Sequence, residues 1–157
     1  MKLSGEVEAA YLASAFWGML MAGRLVSIPI ASRVRPRYVL LGDLLGCLAS
    51  LGLICLLPGS RLALWAGTLG MGLFMASIFP TNLMLASRRL PLTGRITGLF
   101  LSVASLGSMF LPGIVGPIFQ GLGPRAAMVT FWIDVAVMLG VWAALMLRTA
   151  QAAKPAA

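Results

Sequence analysis

The chain has no histidine, only four acidic residues and two cysteines among 157 residues. Without histidine it lacks the side chain most used as a general base and as a metal ligand. The serines therefore have no His base, and no group of residues carries metal-ligand spacing. The cysteines, Cys47 and Cys55, lie eight residues apart in one apolar run, about 12 Å along a helix, too far to bridge each other. They read as small packing residues. No Gly-Lys-Ser/Thr nucleotide loop and no G-x-S-x-G elbow occurs, so the composition points away from an enzyme, a metal site and any cofactor.

What the chain has is apolar length. Hydrophobic residues make up 60% and charged residues 10% of it, with a mean hydropathy of +0.98, far outside the soluble range. The fold class expected is all-α, a polytopic membrane protein. The formal charge of +8 sits between apolar runs and not on a face interleaved with aromatics, so it describes membrane flanks and no nucleic-acid partner. The N-terminus does not read as a signal peptide, because Glu6 and Glu8 answer Lys2 and the following apolar run is too long for one.

A hydrocarbon core of about 30 Å needs about 20 helical residues. Five segments meet that length, at 9–31, 38–57, 62–86, 96–119 and 126–147. Turn chemistry joins them at Arg35-Pro36-Arg37, Pro58-Gly59-Ser60, Pro91-Leu92-Thr93-Gly94 and Gly121-Leu122-Gly123-Pro124. Short links make sequential helices antiparallel. Basic residues distribute eight to three between the two sides: Arg33, Arg35, Arg37, Arg88, Arg89, Arg95, Arg148 and Lys154 against Lys2, Arg61 and Arg125. The basic side is cytoplasmic by the positive-inside bias, so the N-terminus is expected outside and the C-terminus, a short disordered tail from 148 to 157, inside. The expected host is the plasma membrane rather than an organelle.

Small residues recur at helical spacing in Gly42-x-x-x-Gly46, Ala63-x-x-x-Gly67 and Ala136-x-x-x-Gly140-x-x-x-Ala144, which predicts close helix contacts. Pro29, Pro80, Pro112 and Pro117 fall inside segments and are expected to kink or unwind them. Three ionisable residues, Arg24, Asp43 and Asp134, also lie inside, each costing roughly 2.5 to 3.5 kcal/mol near a helix centre unless paired or hydrated. Arg24 and Asp43 sit about 11 Å and about 8 Å from the basic side on helices joined by a short loop. They are expected to form an ion pair that latches the first two spans, the alternative being that Arg24 snorkels to the interface and Asp43 is hydrated there. Asp134 enters from the other side and is expected to rest neutral against hydroxyls, the alternative being that it binds a proton or cation. Asp43 and Asp134 stand about 10 Å apart along the membrane normal, too far to share a catalytic water as an intramembrane aspartyl protease requires.

A polar thread remains. Thr68, Ser77, Thr81 and Asn82 lie in the third segment and Ser102, Ser105 and Ser108 in the fourth, with the aromatics Tyr11, Phe16 and Trp17 in the first. Hydroxyls and amides beside aromatic faces suit a small polar solute such as a sugar. Each hydroxyl taken singly also has an ordinary use in bonding backbone and packing helices.

Two stretches carry a family likeness. Gly23-Arg24-Leu25 followed by Arg33-Val34-Arg35-Pro36-Arg37-Tyr38-Val39-Leu40 resembles the inner-loop signature of the major facilitator superfamily, in the form that follows the eighth helix of its fucose-permease-like and sodium-dependent glucose transporter-like branch. Ala76-Ser77-Ile78-Phe79-Pro80-Thr81 resembles that branch's tenth helix, and Gly107-Ser108-Met109 with Pro112-Gly113-Ile114-Val115-Gly116 its eleventh. The resemblance implies that residues 1–157 form a partial domain, helices eight to twelve, five helices of an incomplete six-helix half-bundle. It further implies transport of a sugar-like solute by rocking alternating access, with Ser77, Thr81, Asn82 and Trp17 as substrate-binding residues and Gly23, Arg33, Pro36 and Arg37 as the cytoplasmic loop signature. An acidic residue often stands in the family where Ser108 stands here. Helix seven and the N-terminal half are expected upstream of Met1. The chain is then not competent alone and needs a partner half or a full-length relative. The alternative is a non-transporting scaffold or regulator built on the same bundle.

Overall fold

The computed structural model describes residues 2–88 and 93–152, with side chains described for 7–88 and 93–148. Arg89, Pro91, Leu92 and Lys154, which belong to the expected loops and charge distribution, lie outside the described residues, and side chains within 149–152 do as well. The described chain is six helices: α1 Lys2–Arg33, α2 Pro36–Leu56, α3 Arg61–Met75, α4 Ile78–Ser87, α5 Gly94–Leu122 and α6 Pro124–Ala152. Five spans long and apolar enough to cross a membrane run over Val7–Arg33, Pro36–Leu56, Arg61–Ser87, Gly94–Leu122 and Pro124–Arg148. α6 continues to Ala152, into the stretch expected as a disordered tail.

Local chemistry sets the helix ends. Pro36 opens α2 behind an extended Arg35, where its missing N–H costs nothing. Gly59 takes a φ of 92° and Ser60 accepts from Ala63 N at 3.3 Å to cap α3. Gly123, at φ 85°, ends α5 and Pro124 at once begins α6.

The third span is not one helix. Of the four interior prolines, Pro80 alone falls beside an interruption; Pro29, Pro112 and Pro117 lie inside continuous helices. Pro80 has no N–H for the carbonyl of Ala76, four residues back, and its ring crowds that carbonyl. The chain turns at Ala76 and Ser77, and regular bonding resumes with Thr81 N to Ser77 O at 2.9 Å.

The packing order across the bundle is α1, then the broken α3–α4 span, then α2, α6 and α5. Central α2 contributes Leu40, Leu44, Cys47 and Leu51 to a core completed by Val135 of α6, with Met71, Phe74, Ile78, Leu139 and Trp142 against it. α1 lies on α3 and hardly meets α2. Backbone closeness explains this choice: a Cβ at Gly72 would stand 2.6 Å from Phe16 O, and one at Gly23 would stand 2.6 Å from Leu73 O. Of the expected small-residue contacts, Gly46 receives Phe74 and Gly67 receives Ile54 and Ser50, whereas Gly42 and Gly140 face open space. Within α5, Val115 is the buried residue.

Candidate functional site

The polar groups of the bundle converge where the third span breaks. Ser77, freed from regular helix geometry at the turn before α4, donates from Oγ to Asp43 Oδ2 of α2 at 2.6 Å. Asp43 is 8% exposed, Ser77 6% and Thr81 6%. Thr81 is one turn beyond Ser77 on α4, which packs on α2. On the adjoining stretch of α2, Ser50 returns its hydroxyl to Gly46 O at 2.7 Å, the ordinary use of a serine in an apolar helix. Asp43 and Ser77 thus meet at the contact of α2 with the start of α4, and Thr81 is buried one turn further along α4.

The expected latch between Arg24 and Asp43 does not form. Arg24 is exposed on α1, α1 packs on α3 and not on α2, and the carboxylate of Asp43 is engaged by Ser77. Loop length made the two spans neighbours in sequence, but close glycine contacts carried α1 to the far side of α3. Among the described residues the ion pair is Arg61 with Glu8, a two-pronged contact at 2.9 Å from Nε and 2.7 Å from Nη2. It ties the start of α3 to the first turns of α1. The sequence signal was present, Arg61 opening one span and the acidic pair Glu6 and Glu8 before another at the same end.

The four residues expected to bind substrate are not brought together. Ser77 and Thr81 are buried against α2, Asn82 is half-buried on α4, and Trp17 is 66% exposed on α1. Trp17 meets Phe16 edge-on, ring centroids 5.8 Å apart at 79°. Asn82 and Trp17 keep accessible surface, whereas Ser77 is already spoken for. Of the loop signature, Gly23 is the close contact of α1 with α3, Arg33 ends α1, and Pro36 is buried at the start of α2. Arg37 lies 4.6 Å over the Tyr38 ring and donates to its hydroxyl at 2.9 Å. Asp134 is half-buried on α6, and no hydroxyl bonds it among the described residues.

A separate cavity of about 440 Å³ opens between α5 and α6, walled by Pro112, Val115, Phe119, Ala127 and Phe131. Its walls are otherwise apolar, with Gln120 as the polar side chain among them.

The chain is 34% identical over 125 residues to major facilitator superfamily domain-containing protein 4A of Mus musculus, a match that covers 80% of this chain and 24% of that protein. The Homo sapiens protein of the same name matches at the same identity and coverage. Sodium-dependent glucose transporter 1 of Danio rerio is 37% identical over 111 residues, 71% of this chain and 19% of that protein. No family model and no solved structure matches the chain. The chain spans about a quarter of the length of these relatives. Shared residues over most of its length, together with five membrane-length helices, place it with them: the chain belongs to the major facilitator superfamily, in the branch of these proteins.

Proposed function

We propose that the chain forms part of the wall of a solute pathway in a transporter of this superfamily, and that the solute is small and polar, a sugar. One observation carries the reading: the match over 111 residues to a protein named a sodium-dependent glucose transporter. The exposed aromatic Trp17 and the half-buried amide of Asn82 supply the stacking face and the hydrogen-bonding group that a sugar ring uses. The five spans stand for helices eight to twelve of a twelve-helix protein, and solute moves when this part rocks against the remaining helices. The basic residues orient it with the N-terminus outside and the C-terminus in the cytoplasm, in the plasma membrane.

The integral-membrane character supplies the lipid partner; the other partner is the N-terminal half, or a full-length relative that lends one. Labelled-hexose uptake into cells expressing the chain alone, and the chain with the N-terminal half of a relative, tests this. No saturable uptake alone and saturable uptake with the partner is the expected result. Robust uptake by the chain alone overturns the need for a partner. Co-purification with a relative but no uptake in either case replaces transport with a regulatory scaffold.

A further inference from the structure

The shape of the cavity between α5 and α6 limits what can enter it. Its floor is the buried pair Val115 and Ala127, and its rims are the exposed rings of Phe119 and Phe131. It is therefore an open furrow on the surface of two membrane-length spans. Along α5 it runs from Leu111 to Gln120, a length of about 13.5 Å by the helical rise. That is close to the depth of one leaflet, half of a hydrocarbon core about 30 Å thick. Spread over that length, a volume of about 440 Å³ makes a furrow roughly 6 Å across. A helix, about 10 to 12 Å wide with its side chains, covers such a furrow without filling it, and close-packed structures leave few voids of that kind. An unbranched hydrocarbon chain is narrow enough to lie in it.

The polar groups of the furrow stand at one end of it. Gln120, the polar side chain of the lining, lies within the last turn of α5, where the span ends at Gly123. Arg125 follows Pro124 of the opposite wall and is exposed; among the described residues the ion pair is Arg61 with Glu8, so Arg125 has no carboxylate of the chain to neutralise it. A cation and an amide donor at headgroup level suit a phosphate and the ester carbonyls beneath it. Hydrocarbon gains nothing by leaving the bilayer for an apolar wall, so residence in the furrow rests on its shape and on that headgroup contact.

We propose that the α5–α6 furrow is a lipid site: it holds one acyl chain of a phospholipid from the leaflet at the Gly123 end, with Arg125 and Gln120 at the phosphate and ester groups. The lipid covers a stretch of α5 on which Val115 is the residue that the chain itself buries. The site needs these two spans and does not depend on the chain's being a sugar transporter, so occupancy is measured without transport.

The test uses the purified full chain in phosphatidylcholine nanodiscs doped with phosphatidylcholine that carries a diazirine on one acyl chain, photolysed and mapped by peptide mass spectrometry. Labels are expected to concentrate on Val115, Phe119 and Phe131 and to be lost in Gly116→Leu, which fills the furrow from a position where an added Cβ meets nothing within 4 Å. Gly107→Leu puts the same side chain on the same helix outside the furrow, also in open space, and is expected to keep the labels, separating a filled site from a disturbed helix. Native mass spectrometry of lipid retained in mild detergent reads the headgroup contact: Arg125→Gln is expected to lower retention about fivefold and Arg125→Lys to preserve it. Labels spread evenly over the exposed faces of α1 and α5 show annular lipid only, and overturn the proposal. It is overturned equally by furrow labels unchanged in a folded Gly116→Leu variant, by retention unchanged in Arg125→Gln, or by a furrow left unlabelled with a second copy of the chain cross-linked across it.

Discussion

α2 and α5 are both apolar helices of spanning length, yet they stand in opposite relations to the rest of the chain. α2 buries Pro36, Leu40, Asp43, Leu44, Cys47, Ser50 and Leu51; α5, longer by eight residues, buries Val115. Every residue from 101 to 110 on α5 is exposed, including Ser102, Ser105 and Ser108. Hydropathy alone does not distinguish the two. What separates them is the presence of complementary neighbours: Phe74 fills the notch at Gly46 on α2, whereas Gly107 and Gly113 on α5 meet nothing within 4 Å. An apolar helix is placed in a bilayer by composition, but it is placed in a bundle by the shape and polarity of one face.

The contrast is broken most directly by truncating matched leucines. Leu44→Ala, at a side chain 2% exposed, is expected to cost about 3 kcal/mol, while Leu106→Ala, at one 52% exposed, costs under about 0.5 kcal/mol. Denaturation of the chain in mild detergent measures both, and comparable losses would show that α5 has an internal partner. Next in size, Gly72→Val drives a side chain into the backbone of α1 at Phe16 and is expected to cost about 2 kcal/mol. Gly107→Val enters open space and is expected to leave the melting point nearly unmoved. A disulfide trap sharpens the comparison from the other side. Ser105→Cys on α5 is expected to cross-link to cysteines placed on a co-expressed N-terminal half, and Ala49→Cys on the exposed side of α2 to do so less. The smallest effect belongs to Glu8→Gln, which removes an exposed ion pair and is expected to shift stability slightly at low salt and not at all at high salt.

The spans themselves were legible in the sequence, because about 20 apolar residues between turn-forming residues leave the backbone no alternative in hydrocarbon. Pro80 announced a disturbance in the third span, but so did Pro29, Pro112 and Pro117, and only local surroundings decide which proline interrupts a helix. Neighbour choice was harder to read. Arg24 and Asp43 have matching depths and opposite charges, which is what a sequence offers, yet depth says nothing about azimuth. Gly23 and Gly72 settle that azimuth by letting α1 lie on α3, and the distant consequence is an exposed Arg24 and an Asp43 that turns to Ser77. The polar residues of the third span were likewise visible as polar; that Ser77 bonds to Asp43 of α2, and that Trp17 stays exposed on α1, depends on which spans become neighbours.

The interruption at Ala76 and Ser77 also gives the bundle a lever. α4, ten residues long, extends about 15 Å from that joint. A swing of about 20° carries its far end, beside Arg88, through about 5 Å, by that length, while α3 stays seated on α1. A displacement of roughly that size at one end of a span is what turning a single short rod against a fixed post would deliver.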